Sequence, residues 1–168
     1  MRIDRLSNGE RISGGSAILL LAFMFLHWYD LEVAERPNLL FDLRLFEDGG
    51  NAWQTLGVTS IVLALVIAVT VGTTVRRLIG QSWDPPVSPG VVVLAFGALA
   101  ACLILIRIIS PPDLAREVEG FTFEVTLKAG IFLSLAAACG IAYGGGRAMQ
   151  EEGVSFGGLP LLRRGKRQ

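Results

Sequence analysis

A single histidine and two cysteines are all the imidazole and thiol groups that 168 residues offer. With His27 alone, multi-histidine metal sites and an HExxH protease are excluded. Cys102 and Cys139 both fall inside apolar runs. Were those runs helices ending where the charges resume, the two thiols would differ by about 10 Å in depth, too far for a disulfide. They read as small packing residues. Charge is also scarce, at 18% of residues, where a soluble domain carries about 25%. The fifteen basic and fifteen acidic residues cancel, so nothing in the net charge points to nucleic acid. No GxxxxGK[ST] or GxGxxG follows a plausible strand, which leaves nucleotide cofactors without support, and no cofactor is expected. His27 and Ser60 fall at similar depths, but no nucleophile elbow accompanies either. His27, Trp28 and Tyr29 read instead as an interfacial aromatic belt.

What the chain has in excess is apolar sequence: 52% of its residues, with a mean hydropathy of +0.54. Residues 13–29, SGGSAILLLAFMFLHWY, carry no Asp, Glu, Lys or Arg. Extended to residue 31, this run reaches about 30 Å as a helix, enough for one crossing. Residues 55–75 are free of charge, and 87–109 carry only Arg107 in the last turn. A fourth run over 121–143 contains Glu124 and Lys128, the lysine extending its stem toward the headgroups. The expected spans are therefore 13–31, 53–75, 87–109 and 121–143. The fold class is all-α: an integral-membrane, antiparallel four-helix transmembrane bundle forming one domain over 1–168. Arg2, Arg5 and Arg11 ahead of the first run resemble a signal peptide, but no small-x-small cleavage site follows. The run is read as an uncleaved anchor.

The signs of charge are sorted along the chain. The amino-terminal segment, the second loop and the tail hold ten basic residues, among them Arg76, Arg77, Arg147 and Arg163. The opposite side holds four: Arg36, Arg44, Arg107 and Arg116. By the positive-inside rule both termini are cytoplasmic. The first outer loop, roughly 32–52, is the longest. Its segment NLLFDLRLF reads equally as an amphipathic helix or as an alternating strand. Asn51 is placed to cap the second helix, with Trp53 at headgroup level. Pro111 and Pro112 end the third helix, and Gly144, Gly145 and Gly146 are expected to end the fourth. Residues 145–168 then form a Gly-rich basic tail, either disordered or resting on anionic lipid.

Two groups of residues stand out as sites. At 100° per residue, Ala129, Gly130, Ser134, Ala137, Gly140 and Gly144 share one side of the fourth helix, with Leu133 and Ile141 among them. Small residues there mark a close helix-packing seam, and Ile131, Phe132, Leu135 and Tyr143 should face lipid. Arg107, Glu124 and Lys128 form an interfacial charge group near the outer surface. Glu124 and Lys128 stand i,i+4 on one helix face, an ordinary local ion pair.

The stretches RLSNGERISGGSAILLLAFMFLHWY, GGNAWQTL, WDPPVSP, RIISPPD and GIAYGGGRAMQEEG together resemble an uncharacterised family of small four-helix membrane proteins of actinobacteria. The likeness runs from about residue 5 to residue 153. It implies a cytoplasmic membrane location and supplies no catalytic residue. The leading expectation is a non-enzymatic assembly or accessory component whose partners are the lipid bilayer and either itself or another membrane protein. A small oligomeric channel or carrier is a second reading. A membrane enzyme using His27 and the loop carboxylates Asp42 and Asp48 is a third.

Overall fold

The structure, a computed structural model, describes residues 6–33, 50–79, 88–111 and 123–153. Most of them are helical. Helix α1 spans Asn8–Phe23 and begins earlier than the expected first span because Ser7 and Glu10 form a capping box. The Glu10 amide donates to Ser7 Oγ at 3.3 Å, and the Ser7 amide donates to Glu10 Oε2 at 3.1 Å. The helix also stops early. The indole of Trp28 donates to the Phe23 carbonyl at 2.9 Å, and the chain then enters strand β1, Tyr29–Val33. Sixteen residues of helix reach only about 24 Å.

Asn51 is an N-cap, as expected, but of a one-turn helix α2, Ala52–Thr55. Gly57, at φ +50°, turns the chain before helix α3, Val58–Ile79. A left-handed φ of this kind suits glycine because no Cβ is present to clash. Helix α4, Pro89–Ile109, starts with proline at a first-turn position where no backbone donor is lost. It ends just before Pro111, as the sequence implies.

The fourth apolar run departs most from expectation. Its first residues, Phe123–Leu127, alternate FEVTL and form strand β2, antiparallel to β1. Tyr29 pairs with Leu127 at one end of the register and Val33 with Phe123 at the other. Helix α5 is Ala129–Glu151, displaced by eight residues toward the carboxyl terminus from the span expected over 121–143. The triple glycine 144–146 is inside this helix rather than beyond it. Among the described residues, three helices are long and apolar enough to cross a membrane: α3, α4 and α5.

Close backbone approach explains the glycines at the helix contacts. Among the described elements, helix α5 makes the most extensive contacts, with α4 on one side and α1 on the other, while α3 touches both α1 and α4. A Cβ on Gly144 would stand 2.5 Å from the amide nitrogen of Ser13 in α1. On Gly97 of α4 it would stand 2.5 Å from the amide nitrogen of Ala142. Gly90 of α4 abuts Met149, so α4 and α5 run antiparallel. Gly9 against Ala148 and Gly130 against His27 show the same for α1 and α5. The α4–α5 register also brings Cys102 and Cys139 within about 3 Å of the same depth, not the 10 Å expected from the sequence. Both thiols are free and exposed.

The interior mixes small and hydroxylic residues with large aliphatics, Trp28 and Tyr29, while many other large apolar side chains lie outside. Ala17, Ala100, Ala138, Thr70 and Ser134 are fully buried. Ile18, Phe25, Val58, Ile61, Leu65, Ile106 and Phe132 are exposed. Three residues of α5 are opposite to expectation: Ile131 is fully buried, Leu133 is 42% exposed, and Ala129 is exposed at the helix start. Ile131 is buried because α5 packs on two neighbours, so its buried arc extends beyond a single seam. Gly144→Ala should therefore lower the melting temperature in detergent, at about 1–3 kcal/mol for overpacking against backbone. Gly72, which has nothing within 4 Å of a would-be Cβ, should accept alanine without loss. Ile131→Ala should cost about 2–5 kcal/mol. Equal melting of the two glycine variants would remove this account of the packing.

Candidate functional site

The densest polar arrangement among the described residues joins all four long helices at one end. Glu10, in the first turn of α1, is 8% exposed despite its charge. Its Oε1 receives the Nε of Arg77, in the last turn of α3, at 2.6 Å. The other side of the Arg77 guanidinium pairs with Glu152, the C-cap of α5. Glu152 in turn accepts the hydroxyl of Ser88, the N-cap residue of α4. One arginine thus spans two carboxylates, and a serine carries the connection to the fourth helix. A narrow crevice lies against the clasp, lined by Glu10, Ser13, Thr73, Thr74, Gly90 and Ala148 among others.

Local sequence explains each position. Glu10 is held inward because its second oxygen closes the capping box with Ser7. Thr73 and Thr74 bond the Thr70 carbonyl within α3, both at 2.9 Å, and so lie flat against their own helix. Gly90 lets α4 approach α5 closely at this level. A buried carboxylate is tolerable only when paired and hydrogen-bonded, and Glu10 is both.

At the other end, aromatic residues replace ion pairs. Trp28 and Tyr29 are fully buried, which corrects their reading as a lipid-interface belt. The Tyr29 hydroxyl donates to the Arg107 carbonyl at 3.1 Å. Burial pushes its phenol above the ordinary value, the Arg107 charge opposing, so the group stays protonated and can donate. Backbone bonds complete this end: the Trp28 amide to the Gly50 carbonyl, the Lys128 amide to the Trp28 carbonyl, and the Ala52 amide to the Met24 carbonyl. His27 is exposed and forms a β-bridge with Asn51, while the Ser60 hydroxyl donates to the Ala52 carbonyl.

The expected interfacial charge group is differently arranged. Arg107 is half-buried in the last turn of α4 and donates through Nη2 to Thr59 Oγ1 at 2.9 Å. Glu124 is in β2, paired across the ladder with Glu32, and Lys128 is the N-cap residue of α5. The two are therefore not i,i+4 on a helix. Strand formation by the β-favouring stretch FEVTL overrides the helical spacing. Of the packing residues, Gly130, Ser134, Ala137 and Gly144 are buried and Gly140 is half-buried against Ser16. Ser134 bonds the Gly130 carbonyl one turn back, at 2.8 Å. Asp42 and Asp48 lie outside the described residues. The clasp of Glu10, Arg77, Ser88 and Glu152 escapes sequence reading almost entirely. Only the SxxE box at 7–10 marks Glu10, since the three partners come from segments 67 to 142 residues away.

Chemically, the arrangement spends its polar groups on holding helices together. Every buried side-chain nitrogen and oxygen among the described residues has a hydrogen-bond partner. Between the two polar ends the core contains Leu20, Leu63, Val66, Ile104 and Ile141, all fully buried. Arg77→Ala leaves two carboxylates facing one another, and should lower stability by about 1–3 kcal/mol. The lower end is expected because Arg77 is 37% exposed. In a thermal-melt double-mutant cycle, Glu152→Gln should cost less alone and should recover part of the Arg77→Ala loss. Strict additivity would show that the three charges do not act together.

Comparison with protein-family models, with curated proteins and with solved structures gave no match for this chain.

Proposed function

We propose that the chain is a multi-pass protein of the cytoplasmic membrane, a four-helix transmembrane bundle with both termini in the cytoplasm. In this reading it acts as a non-enzymatic assembly or accessory component, engaging itself or another membrane protein. The observation that carries the membrane part is the apolar outer surface: three long apolar helices, with Ile18, Phe25, Val58, Ile61, Leu65, Ile106 and Phe132 exposed in addition to an apolar interior. In water such a surface would be an aggregation liability, whereas in lipid it is the solvated face.

Dimensions support the same reading. Thr59 and Arg77 are separated by 18 residues of α3, and Lys128 and Arg147 by 19 along α5. Those separations are about 27 and 28 Å, close to the ~30 Å hydrocarbon core. Helix α1 is shorter, and residues 24–28 complete its path without regular helix. Their backbone bonds to residues 50, 52 and 128 satisfy groups that could not be left bare in lipid. The basic bias of the amino-terminal segment, second loop and tail supports the orientation. The accessory role rests on the clasp, where charges that a catalyst or carrier would present to a substrate are tied to each other.

Sodium carbonate should leave the protein in the membrane pellet, and detergent should release it. In a Cys102→Ala, Cys139→Ala background, Asn38→Cys should react with an impermeant maleimide on intact cells, and Ser155→Cys should not. The reverse pattern overturns the orientation. Affinity purification in mild detergent should recover a stoichiometric membrane partner or a defined self-oligomer. Ion flux in liposomes carrying the purified chain alone would instead favour a channel.

A further inference from the structure

Gly140, Tyr143 and Arg147 are spaced three and four residues apart on α5 and so share one face. Tyr143 is 58% exposed and Arg147 is also exposed. The Arg147 Nη1 donates to the Tyr143 hydroxyl at 3.4 Å, a contact with a neutral group. One turn deeper, α5 meets α1 through small residues: the Ser16 side chain packs directly on Gly140, in the space a Cβ would take. Arg147 therefore stands above a seam of small residues between two helices. Its position 19 residues from Lys128 puts it about 28 Å along the helix, at the opposite headgroup level.

We infer that Arg147 and Tyr143 bind the phosphate of an anionic phospholipid whose acyl chain lies in the α1–α5 seam over Gly140 and Ser16. The inference rests on the membrane reading above. Charge complementarity identifies the occupant. Arg77, at the same end, is matched by Glu10 and Glu152, whereas the Arg147 guanidinium keeps four donors beyond the one its phenol contact uses. A guanidinium fork fits phosphate oxygens in pairs, and a tyrosine one turn inward is suited to the headgroup boundary. Glu151, exposed and one turn on from Arg147, opposes binding and should set its strength.

The full chain in detergent, titrated with phosphatidylglycerol or phosphatidylcholine and read by native mass spectrometry, tests this. The first phosphatidylglycerol should bind about fivefold more tightly than phosphatidylcholine, the weight of one basic residue at an anionic surface. Arg147→Gln should abolish that preference while melting like the parent, and Glu151→Gln should increase it. Equal affinity of the parent for the two lipids, or an unchanged preference in Arg147→Gln, overturns the site. In that event a protein still resistant to carbonate extraction leaves the membrane reading standing. Release by carbonate removes both.

Discussion

The close approach of α5 to two neighbours at once is the constraint on which the remaining structure depends. Backbone lies against backbone at Gly144 and Ser13 on one side and at Gly97 and Ala142 on the other. Such distances leave no room for a Cβ, and the glycines are there for that reason. They carry a helix-propensity penalty of about 1 kcal/mol each, offset by van der Waals contact along the full length of the helix. The same constraint explains why Gly144 to Gly146 do not terminate α5. A helix packed on both sides is held by its neighbours, and intrinsic propensity loses to tertiary contact.

With α5 fixed between α1 and α4, the ends of the helices come together in a predictable way. The clasp at one end links residues 10, 77, 88 and 152 because antiparallel packing brings their helix termini to one level. At the other end, Trp28 and Tyr29 are drawn into the interior, where both side-chain polar atoms find carbonyl partners. Buried polar atoms satisfied in this way add specificity as much as stability, since any other register leaves them unpaired.

Much of this architecture was legible in the sequence, and the boundaries were least so. The apolar runs at 55–75 and 87–109 match α3 and α4 to within a few residues because proline and charge punctuate them clearly. The first and fourth runs misled for a common reason. Hydropathy cannot tell a buried strand from a buried helix over a few residues, and HWYDLEV and FEVTL are rich in β-favouring side chains. The seam residues Gly130, Ser134, Ala137 and Gly144 could be found from helical periodicity. Ile131 could not, because its burial depends on a second partner that no single-helix pattern reveals. The clasp was hidden for the same reason, its members being distant in the chain.

The pairing of β1 with β2 has a consequence for how the chain is made. The strands flank the first and the last helices and are separated by about ninety residues. During synthesis α1 emerges with its indole-capped end and the residues after it waiting for partners that do not yet exist. Helices α3 and α4 can form their own hairpin, but the site for α1 is completed only when α5 follows. The protein therefore closes as a ring, from the last helix back to the first, and its early helices depend meanwhile on their surroundings for shelter.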